Sequence, residues 1–332
     1  MKKTICLCLM FVLLLPSALY CLTGCMAPVS ADTAGTTASA AATTAATTAA
    51  TTAAAAAEFD SNKEITVVSR EDGSGTRGAF IELLEIQVKD ADGNSKDMTT
   101  KEAIIADKTD IMMTNIANDP YAIGYISMGS VNDTIKALDI DGVEATAGAV
   151  KDGSYKIQRP FIIATKGAPS GIAGDFINYI LSAEGQSIVT ANNYIAIDES
   201  AGAYTVAAEF AAAPVSDKLV IAGSSSVTPL MEKLREAYLV LNPDATIEIH
   251  MTDSSAGMAS AIDGTCDIGM SSRELKESES AELDDISIAL DGIAVIVSNA
   301  NPISGLTAET VRAIFTGEIS SWGDVASGGN AR

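Results

Sequence analysis

The chain has 332 residues, 47% of them hydrophobic, and a formal net charge of -22 at pH 7. This acidity excludes a general nucleic-acid-binding protein and any wholesale attraction of anions, so an anion site must be local and built from hydrogen bonds. Beyond its N-terminal segments the chain is long enough for one large or two modest α/β lobes.

The first 24 residues are predicted to be a secretory signal. Lys2 and Lys3 precede an apolar run at residues 5–15, and a Leu-Thr-Gly-Cys sequence ends at Cys25. These four residues resemble a bacterial lipobox, which implies cleavage before Cys25, a lipidated cysteine, and a protein anchored on the outer face of the cell membrane. The alternative is an ordinary cleaved signal with incidental cysteines.

Residues 25–58 form the next segment, which is almost entirely Ala and Thr. Such a composition cannot pack a core. It predicts a flexible linker that lets the folded part extend away from its attachment point. Three of the five cysteines leave with the signal. If Cys25 is acylated, Cys266 has no partner within the chain, and we expect it to be a small buried apolar residue.

The segment Ser-Arg-Glu-Asp-Gly-Ser-Gly-Thr-Arg-Gly-Ala-Phe at residues 69–80 predicts the end of a strand, a glycine turn and a helix. Ser74 and Thr76 supply hydroxyls at a helix start, whose free N–H groups favour an anion, and Arg70 adds a forked cation. Asp72 is unexpected beside an anion unless the ligand carries a proton that the carboxylate accepts. Hydrogen phosphate carries such a proton and sulfate does not.

Helical and extended patterns alternate along the next 130 residues. The apolar spacing of Ile104, Ile105, Ile111 and Ile116 predicts a helix. Further on, a buried strand is predicted at residues 122–127, a long extended run that can cross between lobes at 155–167, helices at 173–181 and 182–189, and an Ala-rich connector at 199–217.

Three more strand ends are followed by hydroxyl-rich turns, at residues 223–226, 253–255 and 271–273. Ligands bind beyond the carboxyl ends of strands in open α/β sheets, so these turns are candidates for one site. Each turn alone could equally be a helix cap, which is the commoner reason for serine there. The single histidine, His250, lies in an apolar strand pattern and is expected to be packed. A second candidate crossing strand follows at 291–297.

The segment at residues 69–80 closely resembles the phosphate-contacting segment of the substrate-binding proteins of Pst-type ABC phosphate importers. Residues 122–127 and the three serine turns resemble other parts of the same family. The resemblance implies an α/β, two-lobed fold of the type II periplasmic-binding-protein kind, with a ligand cleft between the lobes. It also implies a lipid-anchored protein on the extracytoplasmic face of the cell membrane. Such a protein binds inorganic phosphate, delivers it to the permease subunits, and is not an enzyme.

The resemblance also assigns a phosphate site, with no cofactor, metal or nucleic acid. Its implied residues are Arg70, Asp72, Ser74, Gly75, Thr76, Ser225, Ser226, Ser254 and Ser272. Ser272 stands where some relatives have a second acidic acceptor, which leaves Asp72 as the main discriminator between phosphate and sulfate. A buried carboxylate that faces a fully ionised oxyanion is expected to reject it.

The order of the two halves differs from that expected in the family. The segment that resembles the family's beginning stands at residues 218–332, after the segment that resembles its second half. This implies a circular permutant, in which residues 199–217 join the ancestral ends. One lobe is then residues 160–293 and the other is 59–159 plus 294–332. The alternatives are a gene fragment whose true end lies beyond Arg332 and a chain that swaps halves with a second copy.

Three other functions compete with phosphate binding. The nearest is a protein that binds or senses another oxyanion, such as sulfate or molybdate. An enzyme would need a nucleophile with a base, or a metal cage, and the sequence has neither in a recognisable arrangement. The third is an anchored structural protein in which the cleft is a relic.

Overall fold

The computed structural model describes residues 59–90, 95–206 and 218–328. They belong to one unit that spans residues 56–332. The predicted signal, the lipidation site at Cys25, the linker up to residue 58 and most of the connector lie outside the described residues. Among the helices described, none combines the length and the apolar character that a membrane span requires.

The described residues form 13 strands and 10 helices. The strands are β1 Thr66–Arg70, β2 Gln87–Lys89, β3 Ser95–Asp97, β4 Ile104–Ala106, β5 Ala122–Ser127, β6 Ile135–Ala137, β7 Asp139–Ile140, β8 Gln158–Thr165, β9 Lys218–Ser224, β10 Thr246–Thr252, β11 Ile268–Ser271, β12 Asp284–Ser298 and β13 Gly305–Leu306. The helices are α1 Gly75–Leu83, α2 Thr109–Asn118, α3 Ala147–Lys151, α4 Gly171–Leu181, α5 Ala183–Ala191, α6 Thr228–Leu241, α7 Ser254–Asp263, α8 Glu277–Ser280, α9 Ala308–Thr316 and α10 Trp322–Gly328.

Nine strands form one curled sheet in the order β10-β9-β11-β8-β12-β5-β1-β4, with β6 paired to β12. β9 is parallel to β10 and β11, and β1 is parallel to β4 and β5. Because parallel strands end at the same edge, the turns after β9, β10 and β11 leave the sheet together, as do those after β1 and β4. The predicted mixed α/β architecture is confirmed.

The two longest strands, β8 and β12, run antiparallel between two hydrophobic cores. Their pairing extends from Asp284 opposite Thr165 to Gly292 opposite Gln158. On one side Phe161 of β8 belongs to a core with α4, α6 and β9. On the other side the later part of β12 belongs to a core with α1, β5 and α9. Both segments that the sequence predicted as crossing strands are therefore strands, and they pair with each other.

Helix ends follow the expected capping chemistry. The Ser182 side chain accepts from Gly185 N–H at the start of α5, and Thr307 accepts from Thr310 N–H at the start of α9. Gly317 caps the C-terminus of α9, and its φ of 80° is readily available only to glycine. The Ser182 cap explains why the sequence located α5 to within two residues.

Three expectations from the sequence have clear outcomes. Ile104 and Ile105 lie in strand β4 and not in a helix, because this stretch pairs with β1, and α2 begins later. His250 is not packed: β10 is the edge strand of the sheet, and the imidazole is 58% exposed and 3.5 Å from Glu248. Cys266 is free and buried, as expected.

Stability of the α1 core is expected to depend on Phe80. Its ring is fully buried, stacks on Tyr125 with centroids 3.8 Å apart and meets Phe315 edge-on at 4.9 Å. Phe80→Ala should lower the free energy of unfolding by about 3–5 kcal/mol, since it removes ring contacts and leaves a cavity. Leu83→Ala, on the same helix but 42% exposed, should cost less than about 1 kcal/mol. Urea unfolding measures both, and equal losses would contradict this assignment of the core.

Candidate anion-binding site

The Arg70 side chain lies at the end of β1 and is only 2% exposed. Its Nε and Nη2 donate to the two carboxylate oxygens of Glu71, both at 2.8 Å. Nε also donates to the Ala106 carbonyl at 3.2 Å, and Nη2 donates to Ser225 Oγ at 3.0 Å. A buried charge must be paired and hydrogen-bonded. The neighbouring carboxylate meets this need and leaves the other edge of the guanidinium facing hydroxyls.

We call the buried hydroxyl residues around Arg70 the hydroxyl cluster. It consists of Thr76, Thr109, Ser224, Ser225, Ser226, Ser254 and Ser272. Thr76 Oγ1 lies 2.7 Å from Ser226 Oγ, and Thr109 Oγ1 lies 3.4 Å from Ser225 Oγ. These contacts join residues more than 110 positions apart in the chain. Turns after β1, β4 and β9 therefore meet in one place.

The remaining members of the hydroxyl cluster continue this contact chain across the sheet. Ser224 Oγ donates to Ser272 Oγ at 2.9 Å, and Ser254 Oγ accepts from Ser272 N–H at 3.1 Å. Because Ser254 uses a lone pair for that N–H, its own proton is available to an anion. The turns after β10 and β11 thus join the same cluster.

Gly75 brings the start of α1 against these hydroxyls. A Cβ at this position would lie 2.4 Å from Ser254 Oγ and 2.7 Å from Ser272 Oγ. Real Cβ atoms do not approach other atoms so closely, so only glycine permits this contact. Gly75 is therefore required by close approach and not by an unusual φ.

Four helices begin at the hydroxyl cluster. Thr76, Thr109 and Ser254 lie in the first turn of α1, α2 and α7, and Ser226 lies just before α6. No side chain caps the N-terminus of α2 or α6. The free N–H groups and the positive ends of the helix dipoles favour a negative charge here. They allow an anion to bind locally although the chain as a whole has a net charge of -22.

Ser74 has a supporting position. Its hydroxyl is the N-cap of α1 and accepts from Arg77 N–H at 3.3 Å. Arg77 in turn donates to the Arg70 carbonyl at 2.8 Å and pairs with Asp97. Ser74 therefore shapes the turn, and the described contacts do not join its hydroxyl to the hydroxyl cluster.

Asp72 does not lie where the sequence predicted. Its side chain is fully exposed and pairs with Arg77 at 2.9 Å. It lines an open groove of about 770 Å³ beside the turn, together with Arg273 and Pro160. The expectation of a buried Asp72 carboxylate facing the ligand is wrong for this conformation, because the adjacent Glu71 occupies the position beside the guanidinium.

Tyr125 contacts the backbone of Arg70 through its hydroxyl group. Its hydroxyl lies 2.9 Å from Ser69 Oγ and accepts from Arg70 N–H at 3.2 Å. Burial raises the pKa of Tyr125, although both hydrogen bonds act in the opposite direction. The phenol therefore stays neutral and adds no negative charge to the site.

The sequence missed several residues of this region. Glu71 was part of the motif but had no assigned role, and Thr109 was not among the expected site residues. Arg159 and Asp291, a buried ion pair on β8 and β12, were not singled out. A signal was present for this pair, because each is a lone charge at the start of an apolar run.

The described contacts of this arrangement suit the binding of an anion. The cluster hydroxyls contact other hydroxyls, Arg70 or backbone groups, and these contacts include no histidine or lysine base. Within the described residues, no three His, Cys, Asp or Glu side chains are placed to hold a metal ion. Convergent hydroxyl, guanidinium and N–H donors are suited to the oxygens of a tetrahedral oxyanion.

The chain is similar in sequence to known proteins over most of its length. A profile of the PBP superfamily domain matches residues 38–184 and 208–332. The chain belongs to the PBP superfamily. The phosphate-binding protein PstS 2 of Streptococcus agalactiae serotype V is 48% identical over 268 residues, which cover 80% of this chain and 89% of that protein. The PstS 2 protein of Streptococcus pneumoniae serotype 4 is 43% identical, with 81% and 90% coverage.

A solved structure agrees with this membership of the PBP superfamily. It is the phosphate-binding protein of a phosphate ABC transporter from Streptococcus pneumoniae TIGR4, with a TM-score of 0.62 and 43% identity, over 79% of this chain and 99% of that chain. The resemblance to PstS-like proteins of the PBP superfamily, which residues 69–80 predicted, is confirmed, and so is the fold class.

The circular permutation is not confirmed. The similarity to the S. agalactiae protein runs through both halves of this chain and through 89% of that protein. That relative therefore has the two halves in the same order as this chain. The permuted origin stays a prediction, and the described fold does not depend on it.

Two glycines of α1 should respond in opposite directions to alanine. Gly75→Ala should lower the free energy of unfolding by about 1–3 kcal/mol, because the methyl group overlaps Ser254 and Ser272. Gly78→Ala should raise it by about 0.5–1 kcal/mol, since its nearest neighbour, Arg273 Cδ, is 3.4 Å away and alanine favours helix. Urea denaturation of both variants is the measurement. Stabilisation by both substitutions would exclude the close approach at Gly75.

Proposed function

We propose that this chain is an extracytoplasmic substrate-binding protein that captures inorganic phosphate for an ABC importer. One observation carries the proposal: turns after five strands bring the hydroxyl cluster and the Arg70 guanidinium to one buried point. Membership of the PBP superfamily supports it, as do relatives named phosphate-binding protein PstS 2.

The proposed ligand contacts follow from the donors available. Arg70 offers N–H groups beside Ser225, and Thr76, Ser226 and Ser254 offer hydroxyl protons. A tetrahedral anion would exchange weak hydroxyl–hydroxyl contacts for charge-assisted hydrogen bonds, which are roughly twice as strong. Affinity would then come from many local donors and not from the overall charge of the chain.

We propose that the site lies in a cleft between two lobes, residues 160–293 and residues 59–159 plus 294–332. Except for Ile195 and Ile293, the buried residues of the two larger described cores separate in this way: one draws on residues 65–157 and 295–325, the other on 161–289. β8 and β12 are the strands that cross between them. Ligand binding would close the lobes by bending at these strands.

The proposed function requires permease subunits as partners and a location at the membrane. The protein would deliver phosphate to the membrane permease subunits of the importer, and lipidation of Cys25 would hold it on the outer face of the membrane. An enzymatic role is not proposed, because the described cluster has no nucleophile beside a base. Cofactors and nucleic acids have no part in it.

The second candidate function is the binding or sensing of another oxyanion, sulfate or molybdate. The exposure of Asp72 favours it, because this residue was the expected acceptor for the proton of hydrogen phosphate. The carboxylate that does contact Arg70 belongs to Glu71, and both of its oxygens already accept from the guanidinium. Hydroxyls can accept as well as donate, so phosphate still has acceptors in the cluster.

Calorimetry with phosphate, sulfate and molybdate separates the candidates. We expect phosphate to bind most tightly, and Ser225→Ala or Ser254→Ala to weaken it by about 10- to 100-fold, the value of a hydrogen bond to a charged group. Ser187→Ala, on the exposed face of α5, is the matched control. Tighter binding of sulfate or molybdate would favour the second candidate, and no binding of any anion would indicate a relic cleft.

The proposed anchor has its own test. Cys25→Ser removes the thiol that would be acylated, so we expect the protein to move from the membrane fraction to the surrounding medium. Cys266→Ser, at the buried free cysteine, should leave the protein in the membrane fraction. Fractionation of cells that produce each variant measures this, and membrane retention of Cys25→Ser would exclude the lipid anchor.

A further inference from the structure

A second buried guanidinium lies close behind the hydroxyl cluster. Arg159 of β8 stands directly opposite Asp291 of β12 in the register of the two crossing strands. Their side chains are 1% and 0% exposed, and Arg159 Nε and Nη2 donate to Asp291 Oδ2 at 3.2 and 3.1 Å. The pair therefore lies at the crossing between the two cores, out of contact with water.

The ion pair is joined to both sides of the molecule. Asp291 Oδ1 accepts from Ser127 Oγ at 2.9 Å, at the end of β5. Arg159 Nη1 donates to the Ser272 carbonyl at 3.1 Å. Ser272 belongs to the hydroxyl cluster, where its own N–H and Oγ contact Ser254 and Ser224. A hydrogen-bonded chain thus runs from β5 through the crossing strands to the candidate anion site.

Arg159, Asp291 and Arg70 are buried, so water does little to screen their charges from one another. Burial lowers the pKa of Arg159, Asp291 raises it, and the charge of Arg70 lowers it further. Burial also raises the pKa of Asp291 to about 6, although Arg159 and Ser127 oppose this shift. An anion in the hydroxyl cluster would relieve the repulsion between the two cations, because it attracts both.

We propose that Arg159 is a positioning residue of the anion site. It holds the Ser272 turn by its carbonyl, and it adds a second buried positive charge that acts on the anion without touching it. Asp291 compensates this charge from the far side of the guanidinium. The inference rests on the proposed function, because phosphate is its probe. It differs from that function in assigning part of the affinity to a residue outside the hydroxyl cluster.

Substitutions at the pair should change affinity in opposite directions. Asp291→Asn leaves the Arg159 charge uncompensated, so we expect phosphate to bind at least about threefold more tightly, even though the unpaired charge makes the fold less stable. The double variant Arg159→Gln with Asp291→Asn removes both charges and leaves two amides of similar shape. We expect its phosphate affinity to fall about tenfold.

A third variant keeps the test decisive if Asp291→Asn does not fold. Arg159→Lys keeps the charge beside Asp291 but cannot reach both Asp291 and the Ser272 carbonyl as a fork does. Its affinity should lie between those of the wild type and the double variant. Lys233→Gln, at an exposed position on α6, controls for loss of a remote charge and should change affinity less than about twofold.

The experiment is calorimetric titration of the full-length protein and these variants with inorganic phosphate at pH 8, where Asp291 is ionised. Circular dichroism confirms the fold of each variant. A purely structural role predicts weaker binding for Asp291→Asn as well, and that result would overturn the proposal. So would an Arg159→Lys affinity as low as that of the double variant, or a double variant that binds like the wild type.

The failure of this inference differs from the failure of the proposed function. If the wild-type protein binds phosphate but the variants show one of the overturning patterns, only the role of Arg159 is lost. If the wild-type protein binds no phosphate, both proposals fall together.

Discussion

The burial of the Arg70 guanidinium is the constraint on which the candidate site depends. A charge that is 2% exposed needs partners on every side, and here Glu71, the Ala106 carbonyl and Ser225 provide them. Glu71 pairs with the charge from the next position in the chain, and the hydrogen bonds to Ala106 and Ser225 form only when the turns after β1, β4 and β9 meet. The same contacts orient two N–H groups toward the hydroxyl cluster. Satisfying one buried charge therefore also assembles a set of donors.

The sheet makes this meeting possible. Parallel strands in each half place their hydroxyl-rich turns at one edge, and the antiparallel β8 and β12 join the halves so that the two edges face each other. Gly75 then permits α1 to approach Ser254 and Ser272 more closely than any other residue would. The acidity of the chain is no obstacle, because donors act over the length of a hydrogen bond.

Much of this could be predicted from the sequence, because local chemistry determined it. The hydroxyl turns, the crossing strands and the start of α5 at Ser182 all follow from patterns within a few residues. The sequence-based predictions were wrong where tertiary contacts determine the position of a side chain. Glu71 and Asp72 are adjacent carboxylates, and nothing in the local sequence indicates which one turns toward the buried guanidinium. His250 lies in an apolar strand pattern, but the strand is at the edge of the sheet.

In the proposed function, one tetrahedral anion is held by residues from turns far apart in the chain. A crystal structure of the protein grown with phosphate tests this most directly. We expect phosphate oxygens within hydrogen-bond distance of Arg70, Ser225 and Ser254. Phosphate bound only in the groove beside Asp72 and Arg77, or Ser225 and Ser254 pointing into separate places, would contradict it.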